Sequence, residues 1–202
     1  METPTAALAS LGLAIVCCAS LPSLADTGIV VDKDTGNPIP NAVVLAQWTG
    51  VIRTFTEARS KCFKAEVTQS DASGRFSFSS FSWNLNPVLM DRSRTIAALA
   101  PGYHLSPQAD INGPRIALER QSGTSAEQIK SLGGAAIACD GAKSVVLPYL
   151  KELYAEASAI ATTREDKLKA AYVLFEIETI ELGQDRALVR DAERVQKIKE
   201  GS

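Results

Sequence analysis

His104 is the only histidine in the chain, and that count already removes several chemistries. A catalytic zinc held by two or three histidines is impossible within this chain. A Ser–His–Asp triad needs only one histidine, but no serine sits in a G-x-S-x-G elbow and nothing else marks a nucleophile. Gly-rich phosphate loops, C-x-x-C pairs and two-histidine motifs are also absent. His104 follows the Gly102-Tyr103 turn and reads as a loop or strand-edge histidine.

The acids offer little more. Glu176 and Glu178 would lie about 200° apart on a helix, so they do not converge. Glu178 with Glu181, and Glu152 with Glu156, share a side, and solvated helix faces explain such pairs. The run Asp32-Lys33-Asp34-Thr35-Gly36 has the outline of a calcium loop. It lacks the glycine at the sixth place and the acid at the twelfth, where Val43 stands, so it reads as a plain turn. No metal and no cofactor is expected.

Composition sets the frame for these residues. The net charge is −2 over 202 residues, which argues against a nucleic-acid binder, since that would need a basic face to neutralise phosphates. Apolar residues make up 46% of the chain, enough for a real core. From Thr3 to Ala25 there is no charge, and Ala6 to Cys18 is almost wholly apolar. That run has the length of a signal-peptide core and is short for a membrane span. Pro22 breaks it, and small residues at Ser23 and Ala25 place a cut between Ala25 and Asp26. Residues 1–25 therefore read as a signal peptide; an uncleaved anchor is the alternative, and no lysine or arginine precedes the apolar run. The chain is expected to be exported, periplasmic or secreted, with no stable membrane span after cleavage. Cleavage would remove Cys17 and Cys18 and leave Cys62 and Cys139. Two cysteines in an exported chain point to one bridge, worth roughly 4–5 kcal/mol by loop entropy. Two buried free thiols are the alternative.

Residues 26–120 read as a β region. Gly28–Asp32 is a short apolar strand that runs into a turn ending at Pro38, where Asp34 can form an Asx-turn and Gly36 can take positive φ. Ala42–Trp48 is a second apolar strand, and Ala65–Gln69 a third. Ser70–Gly74 is a hairpin-type turn, after which Phe76 and Phe78 alternate with polar residues and should point into a core. Thr95–Ala100 and Ile116–Leu118 complete the set. Trp48 is expected in the core, while Phe81 and Trp83 lead into a loop. Short strands with Gly/Pro punctuation predict a β-sandwich.

Three stretches carry a family resemblance. Gly28–Asp32 followed by Thr35–Val44 resembles the opening of the carboxypeptidase regulatory-like domain. Ser70-Asp71-Ala72-Ser73-Gly74-Arg75-Phe76 resembles its T-D-x-x-G-x-F turn, with Ser70 in place of Thr. Ala100-Pro101-Gly102-Tyr103 resembles its late P-G-Y turn. The resemblance implies a transthyretin-like Greek-key β-sandwich of about seven strands, an accessory module and not a peptidase. Residues 50–64 stand out as a long insertion.

Residues 121–202 read as helical. Ser125 with Gln128 has capping-box spacing for a short helix to Leu132 that would stop at Gly133-Gly134. Val146, Leu150, Leu153, Tyr154, Ala157 and Ile160 share one face, and Pro148 should lie in that helix's first turn, so the helix is expected to begin near Val145 to Leu147. Thr162 with Glu165 offers a capping box for a further helix, which is apolar on two faces and ends at Gly183. Residues 184–199 form a charged terminal helix. The fold class is thus α+β: a β-sandwich, then an α-helical hairpin and a charged helix. A Cys62–Cys139 bridge would tie the hairpin to the β region through the insertion.

The expected function is a non-enzymatic binding or scaffolding protein of the cell envelope whose partner is an unidentified protein or envelope ligand. The alternative is an envelope hydrolase acting on glycan or peptide through carboxylates that converge only in the fold.

Overall fold

A computed structural model describes residues 26–53, 55–79, 89–109, 115–132, 139 and 143–201. The expected leader with Ala25, the aromatics Phe81 and Trp83, and the Gly133-Gly134 stop lie outside the described residues.

The fold is mixed α+β. Among the described residues seven strands come first: β1 (Asp26–Asp32), β2 (Val43–Arg53), β3 (Ala58–Gln69), β4 (Arg75–Phe78), β5 (Leu89–Leu99), β6 (Ser106–Ala109) and β7 (Arg115–Leu118). Four helices follow among the described residues: α1 (Ser125–Leu132), α2 (Lys143–Ile160), α3 (Arg164–Leu182) and α4 (Gln184–Glu200). The strands form a three-stranded sheet of order β4-β1-β7 and a four-stranded sheet of order β3-β2-β5-β6. Every pairing is antiparallel except β1 with β7.

β2 organises both cores. Successive side chains of a strand point to opposite faces. Val44, Ala46 and Trp48 meet Val30, Phe76, Phe78, Ile116 and Leu118 of the three-stranded sheet. Val43 and Leu45 face the other way, into a core with Val146, Tyr149, Leu150 and Leu153 of α2. A strand covered on both faces reads as a continuous apolar run, as Ala42–Ala46 does. Phe76 and Phe78 point inward as their alternation predicts, and Phe78 meets the Trp48 ring edge-on at 6.1 Å.

The helices form a layer on the four-stranded sheet. α2 packs on β2, β3 and β5, α3 on α2, and α4 on α3. The two apolar faces of α3 are explained by this order, because the helix is covered by α2 on one side and α4 on another. α2 begins at Lys143, earlier than the proline rule predicts, and carries Pro148 inside the helix. Pro148 removes one backbone hydrogen bond; burial of Val146, Tyr149, Leu150 and Leu153 around it offsets that loss.

Both expected capping boxes are shifted by one residue. α1 is capped by Thr124, whose N–H donates to Glu127 at 2.8 Å, in place of Ser125 with Gln128. α3 is capped by Thr163 with Asp166, in place of Thr162 with Glu165. An acid at the third position of the first turn also meets the positive end of the helix dipole, which Gln128 would not. Ser125, released from capping, donates to the buried Asp166 carboxylate at 2.7 Å and joins α1 to the start of α3.

Cys62 of β3 and Cys139, just ahead of α2, are joined by a disulfide with Cα atoms 4.9 Å apart across a sequence separation of 77. The bridge bonds the helical layer to the sheet, as the insertion's use predicts. Among the described residues no helix is long and apolar enough to cross a membrane.

Candidate functional site

The three motif stretches converge at one end of the molecule. Val30 N–H donates to the Gly74 carbonyl at 2.8 Å, and Ile39 N–H to the Val30 carbonyl at 3.0 Å. Ser70, the residue that departs from Thr, is 2% exposed; its hydroxyl accepts from Ala42 N–H and donates to the Ile39 carbonyl, each at 2.8 Å. Asp71 closes its own turn by accepting from the N–H groups of Ser73 and Arg75. Gly74 has φ +72°, and a Cβ there would lie 2.5 Å from the Val30 carbonyl oxygen and 3.0 Å from Pro38. Only glycine fits that approach.

The centre of this end is Asp32, a buried carboxylate with its acceptor sites occupied. One oxygen accepts from the N–H groups of Asp34 and Thr35 at 3.0 and 2.9 Å. The other accepts from the Tyr103 hydroxyl and from Arg120 Nε, both at 2.9 Å. The Thr35 N–H first, and the Tyr103 hydroxyl second, hold the Asp32 carboxyl well below the usual carboxylate range. Burial, with Asp32 beside it, pushes the Tyr103 hydroxyl up. The sequence reading put the Asx-turn on Asp34, whereas the chain makes it with Asp32, the residue with a side chain directed under the turn. Apolar neighbours hid it: Asp32 closes an apolar strand, and its partners Tyr103 and Arg120 are distant in sequence.

His104 is held at both ring nitrogens. Nε2 accepts from Ser122 N–H at 3.4 Å, which assigns the ring proton to Nδ1, 2.8 Å from Ser131 Oγ. Ser131 in turn donates to the Gln128 carbonyl at 2.6 Å. His104 thus ties the Tyr103 turn to α1. Three of the acids singled out in the helices have separate partners. Glu178 is bonded to Arg194 and lies 3.6 Å from Arg190, Glu181 pairs with Lys151 at 2.6 Å, and Glu156 accepts from Gly102 N–H at 2.9 Å. Among the described residues no three of His, Cys, Asp and Glu gather as a metal-binding group.

The opposite end of the four-stranded sheet is built differently. The stretch read as an insertion is a long hairpin, with β2 and β3 paired from Val43–Gln69 out to Arg53–Ala58. Phe63 is bulged out of β3 beside Trp48/Thr49, and β5 has a second bulge at the same level of β2, where Asp91 takes φ 47°. Bulges on both neighbours bend and twist the ribbon where it leaves the layers. Its base is clamped on two faces. On one face Lys64 lies 4.7 Å from the Trp48 ring and bonds Glu66 at 2.7 Å and the Ser79 carbonyl at 3.1 Å. On the other stands the Cys62–Cys139 disulfide. Beyond that base burial fades, and at the tip Phe55 is 110% exposed. A shallow groove of about 190 Å³ on the tip is lined by Ile52, Glu57, Arg59, Ser60 and Lys61.

This tongue is not legible in the sequence, because its residues show no sustained period-two apolar pattern. Comparison of the chain with protein-family models and with curated proteins finds no match.

Proposed function

We propose that the chain is an exported, non-enzymatic binding or scaffolding module of the cell envelope, built on a transthyretin-like Greek-key β-sandwich of the carboxypeptidase regulatory-like kind. The observation that carries this reading is the disulfide, which fixes the helical layer at the base of an exposed tongue. Disulfides persist in oxidising compartments, which fits an exported chain. The rigid base also fits presentation of a contact surface. The family reading is supported by the mutual contacts of the three motif stretches. Asp32, Ser70, Gly74 and Tyr103 each hold one motif against the backbone or a side chain of another.

The test is cross-linking and recovery of the protein from its native envelope extract, alongside turnover assays on cell-wall glycan and peptide. The reading expects a defined envelope partner, or the envelope surface itself, and no turnover. Catalytic release of product from glycan or peptide, lost on substitution of a carboxylate, would replace it with the hydrolase alternative.

A further inference from the structure

We infer that the outer side of α4 docks a second copy of this chain, the two α4 helices running antiparallel and crossing at Ala192. The inference stands on α4 alone and does not depend on export or on the envelope role.

Exposure and spacing are the first grounds. α4 turns one side to α3, where Ala187 is fully buried and Arg194 is bonded to Glu178 and Asp191. The other side is open. Leu188 and Val189 are 51% and 62% exposed there, neighbours among the five exposed large hydrophobics of the described residues. Asp185, Leu188, Ala192, Val195 and Lys199 follow one another at intervals of three, four, three and four residues. That is the spacing of a coiled-coil seam, which one further helix covers. The small residue at its centre, Ala192, lets two helix axes approach closely.

Charge selects the occupant. At about 100° per residue, Asp185 and Lys199 lie within about 20° of Ala192, each seven residues from it and so about 10 Å along the axis. Neither side chain has a partner among the described residues. Glu200 lies about 80° round and accepts from Gln196 at 2.5 Å, and the remaining charges of α4 lie about 100° or more away. The seam therefore carries one acid at its start and one base at its end, equidistant from its centre. A second copy laid antiparallel sets Asp185 of each chain opposite Lys199 of the other, and Leu188 of each beside Val195 of the other. A parallel copy would set like charge against like. A lipid or nucleic-acid surface carries one sign of charge and would be repelled at one end of the seam. The seam complements its own reverse, as a twofold interface requires. One helix pair of this length makes a small interface, so the dimer is reversible.

The native, disulfide-bonded protein is followed by sedimentation equilibrium from dilute to millimolar concentration. A reversible monomer–dimer equilibrium is expected. Asp185→Lys and Lys199→Asp, each alone, are expected to weaken it by about 10-fold, since each sets like charges together at two places. Combining both in one chain, or mixing the two single variants, re-pairs every one of these charges and is expected to restore wild-type association. Leu188→Glu is expected to weaken it by about 100-fold. These positions are exposed, so each variant should unfold at the wild-type urea midpoint in dilute, monomeric solution. A monomer at every concentration, or a dimer that the substitutions leave intact, overturns the inference. So does weakening in the single variants without rescue in the pair, because the antiparallel register would then be wrong. A monomer that Leu188→Glu frees from a different cross-linked protein overturns it as well, since that protein would be the seam's occupant.

Discussion

At one end of the four-stranded sheet, Ser70, Gly74, Asp32 and Tyr103 are locked into neighbouring backbone and side chains, and donors and acceptors face each other there. At the other end, Phe55 stands in solvent ahead of Arg53, Arg59 and Lys61. Both ends are rich in turn residues and charge. The first end uses its polar groups to fix the chain, while the second leaves them pointing outward. The recognisable motif residues hold the frame, while the exposed tip carries no recognisable pattern.

Substitutions can separate the two ends. The largest stability effect is expected from the bridge at the tongue's base. Cys62→Ser with Cys139→Ser should lower the unfolding free energy by about 4 kcal/mol, measured by urea denaturation. An unchanged midpoint would mean that the helical layer holds to the sheet without it. Next comes Gly74→Ala in the motif end, expected to cost about 3 kcal/mol because it combines a positive φ with a Cβ against the Val30 carbonyl.

Asp32 sharpens the contrast through pH. Its folded-state pKa lies below the unfolded value, which is about 3.9, so its ionised form is favoured by folding. The stability it contributes is complete above that unfolded value and is lost as pH falls below about 4 toward the lower folded value. Asp71, Glu119, Glu127 and Asp166 are shifted the same way, so the diagnostic quantity is a difference. Asp32→Asn should lower the urea midpoint at neutral pH and narrow its gap from wild type as the medium is acidified. A gap that stays constant down to pH 2 would remove Asp32 from the hub. The smallest stability effect belongs to the tip. Phe55→Ser should move stability by no more than about 0.5 kcal/mol, measured by urea denaturation, because the ring is exposed. A large loss of stability would mean that the ring packs against something.

The sequence was legible where burial is one-sided or complete. The apolar run Ala42–Ala46, the alternation at Phe76 and Phe78, and the glycine stop at 183 each have one physical cause acting locally. It was less legible where two causes compete. Adjacent hydroxyls at Thr124-Ser125 and at Thr162-Thr163 both offer a cap; at the first pair the choice falls to the position that sets an acid three residues on, at the second both positions do and the chain caps with Thr163 and Asp166, and in each pair the spare hydroxyl makes a tertiary bond. Pro148 argues for a later helix start, and only the surrounding core overrides it. The tongue and β6 lack apolar periodicity altogether, and the Asp32 hub joins residues far apart in sequence.

The central claim is that the leader is removed on export and that the remaining chain is closed by its single bridge. Intact-mass measurement on protein taken from its native cells, denatured and alkylated without reduction, tests this most directly. The account predicts a chain beginning at Asp26, recovered from the envelope or medium, that takes up no alkylating label. A cytosolic chain that keeps residues 1–25 and carries label on both Cys62 and Cys139 would contradict it.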